Sequence, residues 1–367
     1  MTFRIFATTD IGPEALQRLR DKGWGLEVYE HVEPPPRALI LEKVRSGIDA
    51  LITTLRDKID EAVFAAGAGA GLKLVAQDAV GVDNIDRAAA NKHKIPYSHT
   101  PDVLTDATAE FAFLIMGAAA RKTWPSEQMV REQTWSTWHP SHPWLGDEVT
   151  GRTVAVIGTG RIGKSFIKKA VGFDMDVLCY APGRKDQAFV ESIRRVMKVR
   201  HEEGLTRRLQ RIEYVTLEEA LAQADFVSLH VSLTRPGESQ TPTFHLIDEK
   251  RLRMMKPTAI LVNTARGPVV DEDALAKALL EGWIGGAALD VFAKEPLPAD
   301  SPLRDERLKL KLRLFHHFAS AGRATRLSPD PDVGMAGRCV QAVVDMLEGG
   351  YGGDPKQMPF VVNKEAF

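Results

Sequence analysis

The sequence predicts an α/β protein built on parallel sheets. Three observations carry this expectation. Short apolar runs of strand length alternate with stretches of helical spacing. One such run, Val154–Ile157, leads at once into Gly158-Thr159-Gly160-Arg161-Ile162-Gly163, and Lys164–Gly172 continues as a helix. The chain has 367 residues, too many for one small core, so two domains are expected.

The bulk composition excludes several classes. Hydrophobic and charged fractions of 44% and 26% are those of an ordinary soluble globular protein. A net charge of −1 gives no global field for nucleic acid or anionic membrane. The two cysteines, Cys179 and Cys339, form neither a disulfide framework nor a zinc spacing, and they fit a reducing cytoplasm. Met1–Thr9 lacks a basic segment followed by a long apolar one, so no signal peptide is expected. The longest apolar stretch, Phe111–Ala120, is too short to cross a bilayer.

In chain order, Phe3–Thr8, Leu26–Tyr29, Ala50–Thr53 and Lys73–Gln77 are strands, with helices at Pro13–Lys22 and Arg37–Ser46. Ligands of parallel sheets sit outside the carboxyl ends of the strands. This singles out the loop at Leu55 and Arg56 and the loop Asp78–Asn84. Small residues in the second loop suit backbone capture of a carboxylate; a plain strand-to-helix turn is the other reading. Thr105 or Asp106 caps a helix through Arg121, with Phe111, Leu114 and Ile115 on one apolar face, placed to link the domains. Met129–Trp144 holds Trp135, Trp138, Trp144, His139 and His142. It is either aromatic core or an extended arm buried in a partner subunit. Its histidines make no metal spacing, and no metal is expected.

The strand–turn–helix at Gly158–Gly163 is a dinucleotide-binding fingerprint, a glycine turn without ligand being the plain alternative. Gly158 permits the tight turn, Gly160 lets backbone N–H groups approach a pyrophosphate, and Gly163 lets the helix pack on the strand. The helix N-terminus, with unpaired donors and a positive dipole end, holds phosphate. An acid that accepts the ribose hydroxyls usually ends the next strand. Here that strand, Val177–Tyr180, is followed by Ala181-Pro182-Gly183-Arg184-Lys185. A missing acid with two cations just beyond suits a 2′-phosphate, hence NADP in preference to NAD; a solvated basic turn is the alternative. Asp186–Arg211 reads as an extra helical excursion. Its basic residues (Arg194, Arg195, Lys198, Arg200, Arg207, Arg208, Arg211) are interspersed with acids and suit a solvated face better than an anion site.

Further units follow: a helix at Leu217–Ala222, a strand at Phe226–Val231, a helix at Ile247–Met255, a strand at Ala259–Asn263, a helix at Glu272–Leu280, strands at Gly286–Leu289 and Leu312–Phe315, and a closing helix at Val340–Leu347. They carry Arg266, Asp290, Glu295 and a histidine at strand ends. An arginine fork holds a carboxylate, and a histidine gives a proton to a carbonyl near neutral pH. A neighbouring glutamate favours the imidazolium. Together they suit hydride transfer to a 2-keto acid. Singly, each reads equally as a surface ion pair or a core histidine.

At these residues the chain resembles the D-isomer-specific 2-hydroxyacid dehydrogenases over nearly its whole length. The matching motifs are Val80–Asp86, Val103–Glu110, Gly158–Gly163, Asn263–Gly267, and Ala288–Phe292 with Glu295-Pro296. The resemblance implies two Rossmann-like, doubly wound parallel-sheet domains. A substrate domain of residues 1–102 and 321–367 would hold an inserted dinucleotide-binding domain, 103–320, with a dimer arm at 122–148. It implies that Arg266 orients the substrate and that Glu295 is the partner of the catalytic histidine. Asp290 would hold the nicotinamide end, with Thr264 among the cofactor residues. Val80 and Gly81 would cradle the carboxylate, and Arg161 and Ile162 would donate to the pyrophosphate. The family's Thr-Pro-His is replaced by Phe315-His316-His317; alignment on Ala319-Ser320-Ala321 makes His317 the acid. Trp135–Pro140 resembles the glyoxylate/hydroxypyruvate reductase branch, in which the second tryptophan, here Trp138, reaches a neighbouring subunit's active site. Tyr180–Arg184 resembles that branch's NADP-using members.

The expectation is therefore a cytoplasmic, homodimeric NAD(P)-dependent reductase of glyoxylate, hydroxypyruvate or a 2-ketoaldonate, with no nucleic-acid or membrane partner. Two other readings are a dehydrogenase of another small anion, such as phosphite or formate, and a non-enzymatic nucleotide-sensing binding protein.

Overall fold

The computed structural model describes residues 2–141 and 145–367; His142 and Trp144 of the aromatic segment lie outside them. In chain order come β1 (Arg4–Ala7), α1 (Pro13–Asp21), β2 (Gly25–Val28), α2 (Arg37–Arg45), β3 (Ala50–Thr53), α3 (Glu61–Ala70), β4 (Leu74–Gln77), α4 (Arg87–His93) and β5 (Tyr97–Ser98). Then follow α5 (Thr105–Ala120), α6 (Thr123–Arg131), β6 (Thr153–Ile157), α7 (Arg161–Gly172), β7 (Asp176–Tyr180), α8 (Gln187–Glu202), β8 (Ile212–Tyr214), α9 (Leu217–Gln223) and β9 (Phe226–Leu229). The chain continues through α10 (Glu249–Leu252), β10 (Ile260–Asn263), α11 (Glu272–Glu281), β11 (Gly286–Leu289), β12 (Leu312–Leu314), α12 (Arg323–Leu327) and α13 (Met335–Leu347). Two compact units result, one from residues 1–104 with 320–367 and the other from 105–319.

In the first unit the strands among the described residues run β2-β1-β3-β4-β5, all parallel. That is the 2-1-3-4-5 order of one doubly wound fold. Side chains alternate faces along each strand. Ile5, Ala7, Ala50, Ile52, Leu74 and Ala76 pack under α1 and α13, while Phe6, Leu51 and Val75 pack under α2, α3 and α4. Burial on both faces is why these strands read as unbroken apolar runs.

The second unit's sheet runs β12-β11-β10-β9-β6-β7-β8, also parallel. Counted from β6 this is 3-2-1-4-5-6-7, the Rossmann order with one added strand, reversing between β6 and β9. Ala155 and Ile157 face one core, and Val154 and Val156 the other. In the second core α5 lies on α7 through Ala109, Ala112 and Phe113 against Phe166, Ile167 and Ala170. The Phe113 and Phe166 rings stand 5.7 Å apart. Truncating such a residue, Phe166→Ala, removes roughly 3–5 kcal/mol of packing.

Some expectations are corrected here. The α5 face differs: Leu114 is 59% exposed, while Ala112, Phe113 and Met116 point inward. The helix expected at Ile247–Met255 is a single turn that starts two residues later, where Asp248 caps it by accepting from the Arg251 N–H at 2.8 Å. The excursion is the crossover helix α8, buried through Val190, Ile193 and Met197, and it feeds the edge strand β8. Several of its cations are paired. Arg200 meets Asp174 at 2.9 Å, and Arg208 grips both carboxylate oxygens of Asp176 at 2.9 and 3.1 Å.

Candidate active site

The sheet of the second unit reverses order where β6 and β9 end, and the glycine turn sits there. Gly158 has φ 101°, and a β-carbon on it would stand 2.7 Å from the His230 carbonyl after β9. On Gly163 a β-carbon would stand 2.0 Å from the Gly158 oxygen, so α7 enters only over glycine. Gly160 is different: nothing lies within 4 Å of its β-carbon position. It is the N-cap of α7 and no side chain caps that helix. A helix start without a side-chain cap, beside open space, fits a pyrophosphate. His230 behind the turn is half-buried, 2.9 Å from Ser228 Oγ, and desolvation pulls its imidazole down to about 3. It puts no charge near the turn.

Arg266, Asp290, Glu295 and His317 come from the ends of β10, β11 and β12. Asn263 shapes the first end, with Oδ1 accepting from the Ala265 N–H at 3.0 Å and Nδ2 donating to the Arg266 carbonyl at 2.9 Å. The half-buried Arg266 donates from Nη1 to the Ala265 carbonyl at 2.7 Å. Thr264 is buried, and its hydroxyl has no hydrogen-bond partner among the described residues, a donor left for a ligand.

Glu295 Oε2 lies 2.8 Å from His317 Nδ1, and Oε1 accepts from the Phe292 N–H at 2.9 Å. Burial works to raise the Glu295 carboxyl. The His317 bond and charge, the Phe292 N–H and the Arg266 charge outweigh it and hold the group below the ordinary carboxylate value. Of the two adjacent histidines, His316 is exposed and leans on Phe318, 5.1 Å away. His317 sits at φ 59°, a left-handed conformation that costs energy in a residue with a β-carbon. Asp290 holds it there. Its carbonyl accepts from the His317 N–H at 2.8 Å, and its carboxylate accepts from the Phe318 and Ala319 N–H groups at 2.6 and 2.8 Å. Burial raises the Asp290 carboxyl, and those two bonds partly offset it. The contacts of Asp290 are with the histidine loop.

In the first unit, the loop after β4 has three successive carbonyls tied down. Ala79 O accepts from the Thr100 N–H at 2.9 Å, Val80 O pairs with His99 Nδ1 at 3.1 Å, and Gly81 O accepts from Gln77 Nε2 at 3.0 Å. Among the described residues the Val80 and Gly81 N–H groups have no partner. Adjacent backbone N–H groups without a protein partner suit an anion. Arg56, in the other loop, donates to the Val32 carbonyl and is committed.

Trp138 is 77% exposed and Arg184 is exposed. Arg161 begins α7 with its side chain outward. Sequence reasoning missed Gln77 and His99, which shape the first-unit loop, and Tyr214 and Thr241, which touch the turn after β7. Gln77 had a signal: it is an amide closing an otherwise apolar strand. The other three touch residues distant in sequence, and no local pattern marks them.

Comparison with known proteins places this geometry. Residues 113–311 match the family described as D-isomer specific 2-hydroxyacid dehydrogenase, NAD binding domain. A glyoxylate reductase of Korarchaeum cryptofilum is 45% identical over 325 residues, 88% of each chain. One from Thermococcus gammatolerans is 42% identical over 367 residues, 99% of this chain and 96% of that one. The crystal structure of the TT0316 protein from Thermus thermophilus superposes with a TM-score of 0.80 at 35% identity, covering 98% of this chain and 100% of that one. With its strand order, glycine turn and strand-end residues, this chain belongs to the D-isomer-specific 2-hydroxyacid dehydrogenases, oxidoreductases that act on 2-hydroxyacids.

Proposed function

We propose that this enzyme is an NADPH-preferring reductase of small 2-keto acids, of the glyoxylate or hydroxypyruvate class, working as a cytoplasmic homodimer. The observation that carries the chemistry is the 2.8 Å contact of His317 Nδ1 with Glu295 at the end of the sheet that also presents Arg266. A histidine whose Nδ1 proton goes to a carboxylate has Nε2 left for the substrate. From Nε2 it gives a proton to the carbonyl oxygen in reduction and takes it back in oxidation.

The Arg266 fork suits the substrate carboxylate, and the Val80–Gly81 loop is a carboxylate cradle of the first unit. Gly158, Gly160, Arg161, Ile162 and Gly163 would hold the pyrophosphate, and the unpaired Thr264 hydroxyl would meet the cofactor. Asp290 would serve the same site by fixing the histidine loop. A nicotinamide, when bound, supplies the hydride. Arg184 would meet a 2′-phosphate. The substrate class is supported by the glyoxylate reductases among the relatives, which do not favour phosphite, formate or a purely sensing role.

Val130, Trp135, Trp138 and Leu145 are all exposed in the single chain, and a second copy would cover them. Size in solution tests this, and a stable monomer removes it. Both cysteines are free and buried, which suits a reducing compartment, and no helix among the described residues is long and apolar enough to cross a membrane. A panel of 2-keto acids with NADPH and NADH tests the activity. Turnover of glyoxylate or hydroxypyruvate is expected; oxidation of only phosphite or formate, or nucleotide binding with no turnover, would overturn the reading.

A further inference from the structure

The turn after β7 is fastened at both ends by side chains from elsewhere in the second unit. At its start, Thr241 Oγ1 donates to the Pro182 carbonyl at 2.7 Å. At its end, the Asp186 N–H donates to the Tyr214 hydroxyl at 3.0 Å. The Asp186 carboxylate is bound by Lys164 of α7 and accepts from the Phe189 N–H of α8 at 3.1 Å. Between the fastenings Gly183, Arg184 and Lys185 are exposed. Lys185 Nζ lies 5.6 Å from the Tyr214 ring centre, while Arg184 is exposed and its charge adds, after Lys164, to what holds the Asp186 carboxyl low.

Tyr214 makes a second connection. Its oxygen is 2.8 Å from Thr159 Oγ1, in the middle of Gly158-Thr159-Gly160. A phenol carries one proton and accepts others. With the Asp186 N–H donating to the oxygen, the phenol's own proton is available to Thr159. One hydroxyl therefore ties the glycine turn to the basic turn. The ring packs against the core below β6 and β7, so that packing does not depend on the hydroxyl. A glycine-containing turn with two like charges would otherwise sample many shapes, and holding it in one removes an ordering cost from ligand binding.

We infer that Tyr214 and Thr241 are positioning residues for the 2′-phosphate end of the cofactor: they hold Pro182–Asp186 in the shape from which Arg184 meets a phosphomonoester. The inference rests on the dinucleotide reading above. Lys164 contributes by neutralising Asp186, the first carboxylate after β7, which would otherwise repel that phosphate.

Equilibrium binding without substrate tests it, using the full chain with NADPH, NADH and adenosine 2′,5′-bisphosphate. Tyr214→Phe keeps the ring, Thr241→Val keeps the shape, and Thr241→Ser restores a hydroxyl. Tyr214→Phe and Thr241→Val should each weaken NADPH and the bisphosphate about three- to tenfold, the range for one lost hydrogen bond. For Thr241→Val, NADH should change less than about twofold, and Thr241→Ser should bind as the wild type does. Tyr214→Phe should weaken NADH as well but by a smaller factor, because Thr159 serves both dinucleotides. Unchanged NADPH binding in both variants, or equal losses for the two dinucleotides, overturns the inference. So does a wild type that binds NADH better than NADPH. A wild type that binds neither dinucleotide overturns the parent reading itself, and shows this before any variant is made.

Discussion

Gly267 lies so close to Phe292 that a β-carbon on it would stand 1.8 Å from the Phe292 carbonyl carbon and 2.1 Å from its oxygen. Gly267 follows Arg266, and the Phe292 N–H holds Glu295. This contact therefore sets the spacing between the arginine's strand end and the glutamate's loop. Gly267→Ala must push the two apart. Overpacking of this kind costs about 1–3 kcal/mol, at roughly 2–4 °C of melting temperature per kcal/mol for a unit of this size. A displacement near 1 Å costs about a hundredfold in rate. We expect kcat/KM to fall at least about tenfold with a lowered melting temperature; wild-type values for both would show that the strand ends tolerate the shift.

The two adjacent histidines should separate cleanly. His317→Ala should lower kcat by about two to four orders of magnitude, the range for a lost general acid. His316→Ala should do far less, since His316 contacts only Phe318 among the described aromatic rings. Glu295→Gln removes the carboxylate that meets His317 Nδ1 at 2.8 Å, so kcat for keto-acid reduction should fall. The carboxyl of Glu295 sits below its ordinary value. Its contribution to stability is present above the unfolded value and is lost as pH falls through the folded one, so Glu295→Gln should lower the melting temperature at neutral pH and lower it less in acid. Initial rates, and melting from acid to neutral pH, decide this, and reversed effects at 316 and 317 would move the assignment by one residue.

How far the sequence disclosed the molecule follows from where the information lies. The glycine turn was legible because strand, turn and helix are consecutive and each glycine answers a local demand. Arg266, Glu295 and His317 stand out only because strand ends of a parallel sheet converge. The crossover α8 was legible as a helix but not as a packed one, because Arg194, Arg195, Lys198 and Arg200 obscured the apolar stripe Val190, Ile193 and Met197. Arg200 and Arg208 are held by Asp174 and Asp176, which precede or begin β7 and were read only as lying at its wrong end. Residues such as Tyr214 and Thr241 act across 28 and 59 positions of sequence, where no periodicity reaches.

Asp78 is a buried carboxylate one residue before Ala79, at the start of the loop after β4. One oxygen has no hydrogen-bond partner, and the nearest cation, Arg326 Nη1, is 3.9 Å from the other. Burial, partly countered by Arg326, pushes its carboxyl up to about 7. The native state therefore keeps this proton where the unfolded chain has lost it. Stability falls as pH rises from the ordinary carboxylate range to about 7, then levels off. Asp78→Asn should raise the melting temperature at pH ~8 and change it less at pH ~5. A gain that is equal at the two pH values would mean that Asp78 is ionised in both.

The cofactor preference turns on Arg184. The strand β7 ends at Tyr180 and is followed by Ala181, so no acid there accepts ribose hydroxyls or repels a 2′-phosphate. The rival arrangement has α8 folding back to pair Arg184 with Asp186 or Glu191 and leave an NADH enzyme. Asp186 is instead bound by Lys164 and caps α8, and Glu191 is bound by Arg194. Arg184 stays exposed on a turn fixed at both ends. A charge-assisted bond to phosphate is worth roughly 1.5–3 kcal/mol, and about 1.4 kcal/mol is a factor of ten. We therefore expect kcat/KM to favour NADPH by at least about tenfold. Arg184→Ala should lose most of that factor while its NADH kinetics stay near wild type, because an unphosphorylated ribose offers the guanidinium no phosphate to bind. Side-by-side kinetics with both cofactors check it: a wild type that prefers NADH, with Arg184→Ala unchanged, removes the 2′-phosphate from this turn.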